Sequence, residues 1–357
     1  YCMKNYLLMI DSFKGCLTSE EAETIVAETI SAYDAEANIK AFPVSDGGEG
    51  MLEAFTSALD AWRIEVKVHD ALMRPLRAEY GLSTDGIAII EMARASGLTL
   101  IPPAERDVLS ATTYGTGELM VDALRRGCRR FIIGLGGSAT SDAGMGMLQA
   151  VMESCDDNGQ FFDLCRKMDI TLACDVTNPL CGKQGAAHVF APQKGATPAQ
   201  VSLLDARAQA FARRSARHFG FDCSTAAGAG AAGGLGYAFM QYFGARMRSG
   251  VDLLLDLLSF DRLLAETDVV ITGEGRADCQ TLMGKLPHGI LLRAARCGVP
   301  VWLVAGQVNN RDRLLTAGFA RVHAITPTSM PLQEALQPAV AAGNLRKALC
   351  TLLCTMR

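Results

Sequence analysis

The sequence predicts an α/β protein built on parallel sheet, and three observations carry that prediction. Short β-branched apolar runs alternate with helix-period segments at both ends of the chain. Polar, glycine-rich turns follow those runs. Glycine itself is in excess, with 35 of 357 residues, roughly 10% against a usual ~7%. At about 150 residues per domain the length suits two domains. With 49% hydrophobic and 20% charged residues, the chain can bury a large core and is not of disordered composition.

Each element follows in order. Residues 6–10 form an apolar run ending in Asp11-Ser12. The next segment reads as a helix, with a Thr18/Glu21 capping box and apolar positions at Ala22, Ile25, Val26, Ile30 and Tyr33. Residues 39–44 read as a second strand, and the turn Ser45-Asp46-Gly47-Gly48-Glu49-Gly50 leads into a helix over 51–59. The far end repeats the theme, with strands at 268–272, 301–305 and 322–325 and a helix within 284–297. In the middle, strands at 87–91, 131–135 and 170–174 are separated by longer glycine-rich connections and a long helix over 198–219. The prediction is one parallel α/β domain made from residues 1–67 and 261–357, with a second α/β domain, 68–260, inserted. Open parallel sheets bind ligands at the carboxyl ends of their strands, where these polar turns fall.

Composition excludes several function classes. A net charge of −4 and a pI near 5.8 give no basic field for a polyanion, so nucleic acid is not an expected partner. The Arg207, Arg213, Arg214, Arg217, His218 stretch is interleaved with Ala206, Ala210 and Phe211 and reads as a solvated helix face. No apolar run reaches the ~18 residues of a membrane span and no secretory segment is read at the start, so the expectation is a cytoplasmic protein without membrane contact. Twelve cysteines without a Cys-x-x-Cys pair, and five scattered histidines, read as buried small residues in a reducing compartment rather than as a thiolate metal site.

Nineteen of the 35 glycines fall in five short segments, 45–50, 115–117, 134–146, 228–236 and 273–289. Such density allows positive φ and lets backbone N–H groups converge on an anion. The sharpest segment runs from the strand 131–135 through Gly136, Gly137, Ser138, Thr140 and Asp142 into a helix near Gly144, a natural phosphate site. It also fits G-x-G-x-x-A, and Gly228-x-Gly230-x-x-Gly233 fits G-x-G-x-x-G, which keeps an NAD(P)-dependent oxidoreductase of a small hydroxy acid open as an alternative. No Gly-Lys-[Ser/Thr] or His-Arg-Asp occurs, excluding a Walker P-loop and a protein kinase. Ionisable groups accompany the glycines. Carboxylates such as Asp46 and Asp175 in these turns suit Mg²⁺ shared with phosphate, and Lys14, Lys194 and Arg276 suit phosphate or carboxylate oxygens. Phosphate or nucleotide chemistry is the common reading.

Eight motifs in order resemble the bacterial glycerate kinase family of the glycerate 2-kinase type. They are Asp11-Ser12-Phe13-Lys14-Gly15, Asp46-Gly47-Gly48-Glu49-Gly50, Gly115-Thr116-Gly117-Glu118-Leu119, Gly136-Gly137-Ser138-Ala139-Thr140, Cys174-Asp175-Val176-Thr177-Asn178-Pro179-Leu180, Pro192-Gln193-Lys194-Gly195, Gly228-Ala229-Gly230-Ala231-Ala232-Gly233-Gly234 and Thr272-Gly273-Glu274-Gly275-Arg276. The resemblance implies a flavodoxin-like parallel-sheet domain with an inserted mixed-sheet domain. It also implies ATP- and Mg²⁺-dependent phosphorylation of D-glycerate, with 2-phosphoglycerate as product. Three departures stand out: Ile10 where the family carries proline, Ser141 where it carries asparagine, and a shorter stretch over 153–169. That last departure keeps a non-catalytic nucleotide-binding relative open as a second alternative.

On this resemblance, Gly136, Gly137, Ser138, Thr140, Asp142, Gly228, Gly230, Gly233, Gly234 and Glu274 are expected at the nucleotide phosphates. Lys194, Arg276, Ser12 and Asn178 are expected at glycerate. Asp46, Asp175 and Lys14 are expected to be catalytic, with Asp46 and Asp175 sharing the roles of Mg²⁺ ligand and general base.

Overall fold

The fold is described from a computed structural model, which describes residues 4–13, 15–45, 48 and 50–355. The chain divides into two units, Tyr1–Asp46 with Val251–Arg357, and Gly47–Gly250. Eleven strands are described: β1 Asn5–Ile10, β2 Asn38–Ala41, β3 Trp62–His69, β4 Pro75–Leu82, β5 Ile87–Glu91, β6 Arg130–Gly134, β7 Asp169–Ala173, β8 Arg246–Arg248, β9 Val269–Ala277, β10 Val301–Val308 and β11 Arg321–Ala324.

The first unit is a parallel sheet in the order β11-β10-β9-β1-β2. Counted within this unit alone, the strands run 2-1-3-4-5, the flavodoxin-like order, whose switch point lies between the first and third strands. Here those strands are β1 and β9. Tyr6, Leu8 and Ile10 of β1 belong to the core shared with α1 (Ser19–Tyr33) and the C-terminal helix Pro338–Cys354, while the intervening Leu7 and Met9 are also buried. Both faces are therefore covered, which is why the strand reads as an unbroken apolar run rather than an alternating one. The capping box of α1 is formed: Glu21 N donates to Thr18 Oγ1 at 3.2 Å and Thr18 N to the Glu21 carboxylate at 2.8 Å. Its buried Ile25, Val26 and Ile30 each contribute ~1.5–3 kcal/mol by leaving water.

One position on α1 breaks the apolar rule. Glu23 is only 3% exposed, and burial, aided by the nearby Glu20, pushes its carboxyl up to about 8 against the lowering effect of the hydrogen bond from Ile10 N–H. The folded chain thus holds a proton that the unfolded chain releases in the ordinary carboxyl range. Its contribution to stability is complete below that range and is lost as pH rises towards 8, at ~1.4 kcal/mol per pH unit. Urea unfolding of wild type and Glu23→Gln between pH 5 and 8.5 checks this: wild type is expected to lose stability relative to the variant across that window, whereas parallel curves would contradict the assignment.

The second unit is a six-stranded mixed sheet, β3-β4-β5-β6-β7-β8. β3, β4 and β5 pair antiparallel and β5 to β8 pair parallel. Its helices are α2 (Met51–Ala58), α3 (Ala93–Ser96), α4 (Tyr114–Arg125), α5 (Met145–Glu153), α6 (Asn158–Lys167), α7 (Ala186–Phe190), α8 (Pro198–Phe219) and α9 (Ala231–Phe243). The units divide at 46/47 and 250/251 rather than at 67/68 and 260/261. The reason is that β3 pairs along its length with β4, from Trp62↔Leu82 to His69↔Pro75, and α2 packs on β4 and β5. The helix after the second strand therefore belongs to the second unit. α8 spans the expected residues, with Thr197 as N-cap, Pro198 in its first turn and Gly220 left-handed at its end. Its Arg207, Arg213, Arg214 and Arg217 are exposed. The stretch 153–169 is occupied mainly by α6.

Candidate active-site loops

The carboxyl end of β6 builds a glycine turn that reaches the surface. Gly137 is left-handed, φ 72°, and exposed, and Gly136 is half-buried. The backbone N–H groups of Gly136, Gly137 and Ser138 donate to no acceptor among the described residues. Three consecutive free amides around a left-handed glycine form an anion-binding concavity. Behind them lies Lys194, 2% exposed, whose Nζ donates to Ser138 Oγ at 2.7 Å and to the Thr140 carbonyl at 2.6 Å. Burial pulls its ammonium down to about 7, and the charge of Asp142 resists that fall. Lys194 is expected at glycerate; the structure sets it against the Ser138 hydroxyl and the Thr140 carbonyl, with one ammonium hydrogen left over.

Asp142 occupies the helix terminus that the sequence offered to phosphate. Its Oδ1 accepts from Gly144 N at 3.0 Å, and its Oδ2 from Gly146 N at 3.1 Å and from both N and Oγ1 of Thr113 at 2.8 Å. Thr113 Oγ1 in turn accepts from Met147 N at 2.9 Å. The first amides of α5 are thus already satisfied, Met145 N by the Asp142 carbonyl, Gly146 N by its carboxylate and Met147 N by Thr113 Oγ1, which corrects the expectation of a phosphate there: the anion the helix end needed is supplied by the protein. Thr113 was not anticipated, because it meets Asp142 through tertiary structure and no local spacing signals it.

The segment Gly228–Gly234 is buried throughout. Ala232, Gly233 and Gly234 are left-handed in succession, at φ 52°, 66° and 95°. A Cβ on Gly233 would sit 2.0 Å from the Thr140 carbonyl oxygen, one on Gly234 2.7 Å from Ala143 Cα, and one on Gly230 2.3 Å from the Pro179 carbonyl oxygen. Ala143 N donates to Gly233 O at 3.0 Å, and Gly230 N to Asn178 O at 2.9 Å. These glycines are required for backbone to lie on backbone: Gly233 and Gly234 lie against the Thr140–Ala143 turn, and Gly230 lies against Asn178–Pro179. A dinucleotide fingerprint needs open glycines, so the burial of this loop and the occupied terminus of α5 remove the structural basis of the oxidoreductase alternative.

At the end of β7, Asp175 is exposed and Asn178 half-buried, with Asn178 Nδ2 donating to Gln184 O at 2.8 Å. An Mg²⁺ held mainly by phosphate oxygens and water needs only one or two carboxylates, and Asp175 fits that requirement. No cluster of three or more His, Cys, Asp or Glu side chains able to hold a metal occurs among the described residues. A cleft of 640 Å³ lies elsewhere in this unit, lined by Arg125, Arg129, Asp157, Asp163 and Lys167, and none of the expected site residues lines it.

In the first unit, the carboxyl end of β1 lies beside Gly273 of β9 at the switch point, and β9 continues to Ala277. Asp11 N donates to Gly273 O at 3.0 Å, and Ser12 N to Asp11 Oδ1 at 2.7 Å. The next residue of β9, Glu274, is buried; its carboxylate accepts from Thr281 Oγ1 at 2.5 Å and Lys285 Nζ at 3.0 Å. Arg276 is exposed, with its Nε 3.3 Å from Asp278 Oδ2. Lys14 and Asp46, both expected to be catalytic, lie outside the described residues.

Comparison with known proteins follows the same motifs. A sequence model described as the glycerate kinase family matches residues 6–164 and 155–357. The two matched stretches overlap inside the segment singled out above as short. The chain is 40% identical over 357 residues to a glycerate kinase of Halalkalibacterium halodurans, covering 94% of each. It is 38% identical over 321 residues to the glycerate 2-kinase of Escherichia coli, covering 84% of each. The crystal structure of a provisionally named glycerate kinase 2 from Salmonella typhimurium LT2 superposes with a TM-score of 0.85 at 38% identity, over 99% of this chain and 98% of that one. With its switch-point sheet, its inserted mixed sheet and its motifs matched from end to end, the chain belongs to the glycerate kinase family.

Proposed function

We infer that the chain is a glycerate kinase that transfers a phosphoryl group from ATP to D-glycerate, giving 2-phospho-D-glycerate. The observation that carries the donor half of this reading is the row of free amides at Gly136, Gly137 and Ser138, backed by the Lys194 ammonium. The acceptor comes from the names of the relatives.

Phosphoryl transfer needs positioning and charge neutralisation more than covalent chemistry. Gly136, Gly137 and Ser138 receive phosphate oxygens through backbone N–H groups. Lys194 adds positive charge and fixes Ser138 and Thr140. Asp142 holds the turn to α4 and α5, Gly233 and Gly234 support it by close backbone approach, and Gly228 and Gly230 let their loop pack on the 176–179 segment. Glu274, clamped by Thr281 and Lys285, fixes the loop that follows β9. Arg276, Ser12 and Asn178 bind glycerate, Lys14 is the catalytic cation, and Asp46 or Asp175 takes the proton of the acceptor hydroxyl, worth ~10²–10⁴-fold. Mg²⁺, when bound at Asp175 or Asp46, neutralises phosphate charge. No described helix is long and apolar enough to cross a membrane. The eleven cysteines among the described residues are free, which suits a reducing compartment such as the cytoplasm.

Coupled ADP release with D-glycerate, L-glycerate and glycerol in parallel tests the reading, with enolase coupling to identify the product. D-glycerate is expected to turn over fastest and to yield an enolase substrate directly; ADP release indifferent to the acceptor would overturn it. Asp175→Asn is expected to lose 10²- to 10⁴-fold in turnover with an unchanged melting temperature. A near-normal rate removes Asp175 from the mechanism.

A further inference from the structure

Two side chains on α1 that the proposed mechanism does not use meet the backbone where β1 and β2 part. The strands pair only as far as Leu8↔Ala41, and Phe42 N donates to Leu8 O at 3.1 Å just past that point. Beyond it the chains diverge, so the next inward-facing groups lose their ladder partners. Ile10 N donates instead to Glu23 Oε1 at 3.1 Å. Ser19 Oγ donates to Ile10 O at 2.6 Å and accepts from Val44 N at 3.1 Å. Ser19 and Glu23 are four residues apart and so share one face of the helix. Together they satisfy a donor and an acceptor of β1 and a donor of the segment after β2. A buried backbone group left unpaired is destabilising, and Glu23 is almost wholly buried.

We propose that Ser19 and Glu23 form a polar plug in the fork between β1 and β2 and act as positioning residues for the reaction. They fix where the chain leaves β1 into Asp11-Ser12 and where it arrives at Ser45 after β2. This rests on the reading that residues 11–14 and 45–50 serve the glycerate reaction. The plug acts through hydrogen bonds accepted by Glu23 and shared by Ser19, so its effect falls on loop geometry rather than on a reacting atom.

The decisive feature is the Ile10 N–H, because proline at position 10 would carry no such donor and would need no acceptor. The test compares wild type, Glu23→Gln, Glu23→Ala and the double variant Ile10→Pro/Glu23→Ala. Each is assayed for kcat and for KM of D-glycerate and of ATP, with amide hydrogen exchange followed at Ile10 and Val44 where present. Glu23→Gln keeps an acceptor and is expected within about threefold of wild type. Glu23→Ala is expected to lower kcat/KM for glycerate by about tenfold or more, to leave KM for ATP within about twofold, and to speed exchange at Ile10. The double variant is expected to recover most of that loss. A folded Glu23→Ala enzyme with unchanged kcat/KM for glycerate would overturn the proposal, as would equal damage in the alanine and double variants, which would indicate lost packing alone. Should Glu23→Ala fail to fold, Ser19→Ala, with exchange read at Val44 and the same kinetics, decides in its place. If wild type releases no ADP with glycerate, the kinase reading fails instead, and the plug is judged on exchange: unchanged protection of Ile10 in Glu23→Ala sinks it.

Discussion

Replacing Lys194 by methionine is expected to reduce kcat/KM for ATP by about 10²–10³-fold, the scale of losing one preorganised donor at a site of charge development. The methionine matches the length of the lysine stem and removes a buried cation, a change that is often neutral in stability. It also leaves Ser138 Oγ and the Thr140 carbonyl without the donor they have at 2.7 and 2.6 Å, so Ser138 loses its support beneath the free amides. The loss should appear in ATP binding, measured by calorimetry, and only a few degrees in melting temperature. The same residue predicts a pH signature. Its ammonium sits near 7 in the folded protein, so the cation is present below that pH and is lost above it. Nucleotide affinity of wild type should weaken from pH 7 to 9, and that of the methionine variant should be flat across this step. The stability term has the opposite sign to that of Glu23: between about 7 and the ordinary lysine range the unfolded chain holds the extra proton, and stability rises with pH. A methionine variant with full activity would show that Lys194 only fills space.

Gly233→Ala is the change expected to cost most stability. Gly233 is left-handed at φ 66° and its added Cβ would lie 2.0 Å from Thr140 O and 2.7 Å from Ser141 Cα. Backbone cannot yield as a flexible side chain does, so the Thr140–Asp142 turn must move. A loss above about 3 kcal/mol is expected, the sum of left-handed strain and overpacking. Gly220→Ala is the control. Gly220 has a similar φ of 77° but nothing within 4 Å, so only ~1–2 kcal/mol of left-handed strain applies. Urea unfolding of both variants checks the contrast; equal losses would show that conformational strain, and not the close approach to Thr140, sets the requirement for glycine.

Much of this was legible in the sequence because the signals were local. The apolar runs at 6–10, 87–91 and 301–305, the Thr18 capping box and the 198–219 helix all rest on periodicity and caps, and the structure has them. The β3–β4 hairpin was readable too. Ile64, Val66 and Val68 pack towards the core while Arg63, Glu65 and Lys67 are exposed, a period of two along β3. The expected domain boundary at 67/68 cuts through β3, Trp62–His69. What sequence could not give was occupancy. A helix behind a glycine turn looks like a phosphate site until Asp142, from the same turn, is found filling it together with Thr113. A G-x-G-x-x-G segment looks like an open loop until Thr140, Ala143 and Pro179 are found where its side chains would be. Glycine density marks where backbones come close. Whether the neighbour is a ligand or another loop is decided by tertiary structure.

The central claim is that nucleotide phosphates bind the free amides of Gly136, Gly137 and Ser138 rather than the buried Gly228–Gly234 loop. Amide NMR of ¹⁵N-glycine-labelled, deuterated protein titrated with Mg·ATP tests it directly. The account predicts large, saturable shifts at Gly136 and Gly137, with much smaller ones at Gly230 and Gly233. Large shifts at Gly230 and Gly233 with Gly136 and Gly137 unmoved would contradict it.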